Sequence, residues 1–260
     1  MNKRIIIGTR GSQLALIQTE IIKKQLLLVQ PNVEVEIKII TTTGDKNMSP
    51  VPLDNVGKDW FTKEIDKALL NGVIDMAVHS LKDLPEVLPD GLIIAAIPKR
   101  EDAREAFISK NNVPFDKLEK GAIIGTDSTR RRVQILYKRP DLMVRSIRGN
   151  VNTRLKKLTQ SEYDGIFLAV AGLKRLGLEE KITQYFSESD MLPSPGQGAL
   201  AVVVRKEEHA LIDLLQKLND EQTLAAVKAE RSFSKVFGGG CKMPVGAYAQ
   251  CYNKDRKSVV

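Results

Sequence analysis

Ile5-Ile6-Ile7-Gly8-Thr9-Arg10-Gly11-Ser12, followed by Leu14, Ile17, Ile21 and Leu28, sets the fold class of this chain. Three β-branched residues run into a turn bounded by glycines. The apolar residues beyond Ser12 then recur at helical steps behind a serine placed to cap the first turn. The unit is strand, loop, helix, and it repeats in kind along the next two hundred or so residues. Glu34 to Ile39 alternates charged and apolar residues, which puts Val35, Ile37 and Ile39 on one face of a half-buried strand. Ile74-Asp75-Met76-Ala77-Val78, Leu92 to Ile97, Ala122-Ile123-Ile124-Gly125, Gly165 to Val170 and Ala201 to Val204 are short apolar runs between turn residues. Such runs suit strands covered on both faces in a mainly parallel sheet. Helical stretches lie between them, near Thr62 to Leu70, Thr129 to Lys138, Val151 to Thr159 and Glu207 to Leu218. The class is α/β, so ligands are expected beyond the carboxyl ends of strands.

Turn-rich breaks at Pro98-Lys99-Arg100-Glu101-Asp102 and Ser194-Pro195-Gly196-Gln197-Gly198 read as domain crossings. The expected division is 1–98 with 199–217, then 99–198, then 218–260. In the last part Asn219 and Gln222 resemble a capping box for a helix to about Val236, followed by a glycine run and one strand, Val245 to Tyr252. Thr43 to Trp60 has little periodicity and reads as a long loop, either a binding segment or plain disorder. No internal repeat is visible in the sequence.

The chain has 260 residues, 42% hydrophobic and 28% charged, ordinary values for a globular protein. Two cysteines exclude a disulfide scaffold and a cysteine-rich zinc site. No apolar run is long enough to span a bilayer and no export signal follows Met1, so a reducing cytoplasm is the expected location. The net charge of +8 favours an anionic partner. Nucleic acid is the weaker choice, because aromatic residues for stacking make up only 5% of the chain.

Four segments carry candidate chemistry. Gly8-Thr9-Arg10-Gly11-Ser12, Gly125-Thr126-Asp127-Ser128-Thr129-Arg130-Arg131-Arg132 and Arg145 to Arg154 each put basic or hydroxyl groups where a strand gives way to a helix. Free amides attract anions there, and an arginine fork holds a carboxylate by two bonds. One such cluster is commonly a solvated basic face; three in equivalent positions point to a polyanion site. Val78-His79-Ser80-Leu81-Lys82-Asp83-Leu84-Pro85 sets an acid beside a base just after a buried strand. Its plainer reading is a surface Lys–Asp pair with His79 as a hydrogen-bonded core residue. Finally, Cys241 sits behind Gly238-Gly239-Gly240 and near Lys235 and Lys242, which favour a thiolate. It reads as an attachment point or nucleophile, or equally as a small buried residue ending a turn.

Taken together, Ala77 to Pro85, Thr129-Arg130-Arg131, Arg148-Gly149-Asn150 with Thr153-Arg154-Leu155, Leu168 to Gly177, and Gly239-Gly240-Cys241 with Pro244 and Gly246-Ala247-Tyr248 resemble the porphobilinogen deaminase (hydroxymethylbilane synthase) family, almost ungapped from Arg4 to about Ala249. The resemblance implies two periplasmic-binding-protein-like α/β domains and a small, shortened α+β C-terminal domain. It implies a transferase of tetrapyrrole (haem) biosynthesis that joins four porphobilinogen molecules with release of ammonia, on a dipyrromethane attached through Cys241. It makes Asp83 the catalytic carboxylate, stabilising an electron-poor azafulvenium ion. Lys82, Thr126, Ser128, Arg130, Arg131, Arg148 and Gly149 fall to the cofactor. Arg10, Ser12, Lys58, Arg154, Arg175 and Gln197 fall to the acetate and propionate arms of the substrate. No metal, membrane or nucleic acid is implied. A monomer is expected, with self-association through the shortened C-terminal domain as the alternative.

The chain departs from the family pattern in four places. Asp127-Ser128 stands for Ser-Ser, which sets a negative charge beside an anion site and is expected to weaken one carboxylate contact. Val56-Gly57-Lys58-Asp59-Trp60-Phe61 has lost two glycines and gained a tryptophan, implying a stiffer loop. Lys242 stands where glutamine is common. The sequence stops at Val260, leaving Val245 to Tyr252 as an under-paired strand. A small-anion binding module on the same scaffold, without chemistry, is the rival reading; ligand binding without ammonia release would mark it.

Overall fold

The structure is a computed structural model describing residues 4–46, 58–160, 162–237, 244–252 and 255–259. Its strands are β1 (Arg4–Thr9), β2 (Glu34–Ile39), β3 (Met76–Ser80), β4 (Leu92–Ala96), β5 (Glu105–Ser109), β6 (Ile123–Gly125), β7 (Met143–Arg145), β8 (Gly165–Ala169), β9 (Gln184–Phe186), β10 (Leu200–Arg205), β11 (Tyr248–Tyr252) and β12 (Asp255–Val259). The helices are α1 (Gln13–Val29), α2 (Thr43–Lys46), α3 (Lys63–Leu70), α4 (Thr129–Lys138), α5 (Val151–Gln160), α6 (Val170–Leu176), α7 (His209–Gln216) and α8 (Glu221–Val236).

Two five-stranded sheets form, ordered β2-β1-β3-β10-β4 and β7-β6-β8-β5-β9. Neither is parallel throughout: in each, one strand runs against the other four. β1 runs parallel to β2 and β3, while β10 is antiparallel to β3 and β4. In the second sheet β6 runs parallel to β7 and β8, and β5 is antiparallel to β8 and β9. The reason is connectivity. β5 and β10 are the first strands reached after the chain passes from one sheet to the other, and each enters against the direction of its neighbours.

Alternation along the central strands splits each core in two. In the first sheet Met76, Val78, Val202 and Val204 meet Ile22 and Leu26 of α1 and Leu215 of α7. Ala77, Ala201 and Val203 face Ile65 and Leu69 of α3 and Val227 of α8. The second sheet has an aromatic side, where Phe107, Phe115, Phe167 and Phe186 sit with ring centroids 5.1–5.6 Å apart. Its other side is aliphatic, with Ala106, Ile108, Ile166 and Leu168 under α5 and α6.

The two crossings touch backbone to backbone. Gly198 has φ +87°, and a Cβ there would lie 2.3 Å from the Glu101 carbonyl oxygen, so only glycine fits. Buried Glu230 of α8 joins both crossings to the C-terminal segment. It accepts from the Arg100 guanidinium at 2.6 Å, from the Gly196 amide at 2.7 Å and from the Ala249 amide at 2.9 Å. The α8 cap is Asp220, whose carboxylate accepts from the Thr223 amide at 2.8 Å; Asn219, expected in that role, accepts instead from the Ile97 amide at 2.7 Å. β11 is not under-paired as expected: β12 runs antiparallel beside it over five residues. Sequence reading also passed over α6, β5, β7 and β9, three of them only three residues or one helical turn or two in length.

Candidate functional site

The candidate residues gather where parallel strands end. After β3 the chain makes a 3-10 turn, Leu81–Asp83, pinned by Leu81 and Leu84, both wholly buried, and by the Leu81 amide donating to the Ala199 carbonyl at 3.0 Å. That anchoring leaves Lys82 half-buried and Asp83 exposed. Lys82 Nζ donates to Gln197 Oε1 at 3.1 Å. Burial pulls the Lys82 ammonium down to about 8, Arg131 and Arg130 pull the same way, and Asp83 and Glu105 oppose them.

Beyond β6, Thr126 Oγ1 accepts from the Ser128 amide at 3.1 Å, and Ser128 caps α4 by accepting from the Arg131 amide at 3.4 Å. The cap turns Arg130 and Arg131 inward, where both are buried. Two guanidinium groups out of water require a countercharge, and Glu105 at the start of β5 supplies it. Its Oε1 accepts from Arg130 Nη2 at 2.5 Å and its Oε2 from Arg131 Nε at 3.0 Å. Arg131 also donates to the Phe167 carbonyl at 2.9 Å. Although burial pushes the Glu105 carboxyl upward, Arg131, Arg130 and Lys82 hold it at about 2, so it stays ionised. Glu105 escaped the sequence reading. The available signal was a charged residue opening the apolar run Ala106-Phe107-Ile108, together with the electrostatic need of an Arg-Arg pair facing a core.

After β7, Arg148 pairs with Asp127 at 3.4 Å, so the acid at the departing position does occupy the neighbouring cation. Gly149 has φ +117° and its carbonyl accepts from Arg154 Nε at 2.9 Å. Burial and the nearby Arg131 lower the Arg154 guanidinium, with Asp127 and Asp83 opposing. Lys82, Asp83, Arg130, Arg131, Arg154 and Gln197 are therefore electrostatic neighbours.

The remaining candidates make other contacts. Ser12 caps α1, accepting from the Ala15 amide at 3.3 Å. Arg10 pairs with Asp45 at 2.5 Å and lies 4.3 Å over the Phe61 ring, a contact set that sequence reading missed because Asp45 stood in a stretch without periodicity. Arg175 donates to the Gly198 carbonyl at 2.7 Å, at the crossing; burial pulls it to about 10. His79 is buried as expected. Its Nε2 has no hydrogen-bond partner among the described residues. Cys241 and the Lys58 side chain lie outside the described residues, as does the 47–57 part of the long loop. No helix among the described residues is long and apolar enough to cross a membrane.

Comparison with known proteins gives the family and the fold. Residues 5–213 match the family model "Porphobilinogen deaminase, dipyromethane cofactor binding domain", and residues 224–259 match "Porphobilinogen deaminase, C-terminal domain". The chain is 51% identical over 260 residues to a porphobilinogen deaminase of Geobacillus sp. (strain WCH70), covering 99% of this chain and 83% of that one. It is 47% identical over 257 residues to the Bacillus subtilis (strain 168) porphobilinogen deaminase, covering 98% and 82%. Among solved structures, the methionine binding protein MetQ superposes with a TM-score of 0.52 at 13% identity, covering 91% of this chain and 96% of that one. That likeness concerns the fold: two α/β units of the periplasmic-binding-protein kind.

Proposed function

This chain belongs to the porphobilinogen deaminase family, and on that footing we propose how its own residues divide the work. The enzyme is a hydroxymethylbilane synthase, a transferase of tetrapyrrole biosynthesis that joins porphobilinogen units with release of ammonia, and its cofactor is a dipyrromethane. When bound, that cofactor supplies the primer to which substrate units are added. The residues present fit such a group: a dipyrromethane offers pyrrole N–H donors and carboxylate arms, and the site offers one exposed carboxylate set among cations.

Asp83 carries the reading. It is exposed on a turn fixed by two buried leucines, and Lys82 and Arg154 are its electrostatic neighbours. A carboxylate so placed accepts a hydrogen bond from a pyrrole N–H and stabilises positive charge as the substrate amine departs. Arg148 and Arg154, with the amide of Gly149, hold acetate and propionate oxygens through charge-assisted bonds. Arg130 and Arg131 act from a buried position, raising the positive potential of the wall. Thr126 and Ser128 set the start of α4 that carries them. Arg10, Ser12, Arg175, Lys58 and Gln197 take the outer substrate arms or the crossing.

Cys241 is the attachment point by family motif. The division into 1–98 with 199–217, 99–198 and 218–260 is supported by the two sheets and by α8 opening the last part. A reducing, cytoplasmic setting would keep the Cys241 thiol available for attachment of the cofactor, and the enzyme would act as a monomer. Intact mass after expression in a host that makes the cofactor tests the reading. A two-pyrrole adduct is expected in the wild type and absent from Cys241→Ser; a bare polypeptide in both would overturn it.

A further inference from the structure

We propose that Glu105, acting through Gln197, is the positioning residue that locks Lys82 and the Arg130–Arg131 pair into one carboxylate-binding face shared by the two sheets. The inference rests on the functional reading above and adds a group that no motif assigned. Five residues from four places meet here: Lys82 after β3, Gln197 in the second crossing, Glu105 opening β5, and the two arginines at the start of α4.

Gln197 is wholly buried and its amide has one workable orientation. Oε1 accepts from Lys82 Nζ at 3.1 Å, while Nε2 donates to Glu105 Oε1 at 3.1 Å and to the Ala103 carbonyl at 2.8 Å. Turning the amide over would set an NH2 against an ammonium and an oxygen against a carboxylate and a carbonyl. Each end therefore fixes the other, and the position of Lys82 is tied to a carboxylate it does not touch. At the far end both Glu105 oxygens are occupied by guanidinium donors, with Arg131 Nη2 also at 2.8 Å, which sets the planes of both forks. The cluster holds three cations against this one buried carboxylate; the other facing acid, Asp83, is exposed. Replacing Glu105 by a neutral group leaves three cations confined together, and the only one able to shed its proton near neutrality is Lys82, already drawn down to about 8. A carboxylate acting on Lys82 only through its field would lower the midpoint when neutralised but leave it in place when Gln197 alone is replaced.

The test compares wild type with Glu105→Gln, Glu105→Asp and Gln197→Met. The first readout is the pH dependence of Lys82 acetylation by acetic anhydride, followed by peptide mass spectrometry. The second is the kcat and KM pH profiles for porphobilinogen. In Glu105→Gln the acetylation midpoint is expected to fall by about one unit, giving about a fivefold larger reactive fraction at neutral pH, with the alkaline limb of the rate profile moving down in step. Glu105→Asp retains the wild-type midpoint with a lower kcat. Gln197→Met keeps the arginine pairs yet lowers the midpoint, so the proposal stays testable if Glu105→Gln does not fold. An unmoved midpoint in Gln197→Met, or in a folded Glu105→Gln, would overturn it. Intact mass on the same samples separates the two levels: a wild type without adduct strikes the cofactor reading, whereas adduct present with an unmoved midpoint strikes this one.

Discussion

The two five-stranded sheets share one plan and do different jobs. Each has three parallel strands, then an antiparallel strand delivered by a crossing, then an edge strand. The correspondence reaches single residues: Val78 pairs with Val202 and His79 with Ala201, as Phe167 pairs with Phe107 and Leu168 with Ala106. At the strand ends the likeness stops. The first sheet delivers an exposed acid, Asp83, on a turn held by buried leucines. The second delivers arginines, two of them drawn inward by Glu105 and two left at the mouth. The framework can be repeated without sequence similarity because burial asks only for apolar volume at alternate positions. Division of labour is written in the few residues that follow each strand.

The sharpest way to break the comparison is to remove the acid from the first sheet. Asp83→Asn keeps shape and hydrogen-bonding oxygen but deletes the charge, and the side chain is exposed, so the fold is expected to survive. Ammonia release should fall by roughly two to four orders of magnitude, in kcat rather than KM, with the cofactor adduct still present by mass. A variant retaining most of its turnover would move the acid role elsewhere.

This division was partly legible before any coordinates. Short apolar runs gave β1, β3, β4, β6, β8 and β10, and Ser12 marked a helix start, because burial and capping are local demands. The antiparallel entry of β5 and β10 was not legible, since pairing direction depends on where the chain comes from. Lys82, Asp83, Arg130 and Arg131 were found through motif and residue type. Glu105 was missed because a lone acid at the head of a strand looks like a surface residue until two guanidinium groups converge on it from 25 and 26 positions away.

A second difference lies in the paired strands themselves, His79 against Leu168. Burial, with Arg10 adding to it, lowers His79 to about 4, whereas an unfolded histidine titrates near 6.5. Between those limits the unfolded chain binds a proton that the folded one refuses, so stability is whole above the upper value and declines as pH falls through the window. The loss from pH 7 to pH 5 is expected to be about 2 kcal/mol. Urea unfolding of wild type and His79→Gln at both pH values checks it. An equal pH dependence in the two proteins would show that the buried imidazole is not its source.

Arg148 tests the second sheet's share. It lies half-buried at the mouth, and Arg148→Ala removes a fork without opening a core cavity. Loss of a charge-assisted carboxylate contact corresponds to about a tenfold rise in KM, with kcat nearly kept. A fall in kcat with KM unchanged would place Arg148 on the reacting centre and blur the division between the sheets.

The smallest expected effect sharpens the comparison most finely. Asp127 occupies Arg148 at 3.4 Å and also accepts from the Ser146 hydroxyl, so in this chain the second sheet carries an internal competitor for a cation proposed above to hold carboxylate arms. A partly exposed ion pair contributes only up to about 1 kcal/mol. Asp127→Ser, which restores the residue usual in the family, should therefore lower KM by about two- to fivefold, with the gain shrinking as salt rises. The gain must also vanish when Arg148 is already alanine, because no cation is then left to release. If Asp127→Ser lowers KM equally in both backgrounds, the acid acts through the general field of the cleft rather than through Arg148, and the pairing seen here has no bearing on substrate affinity.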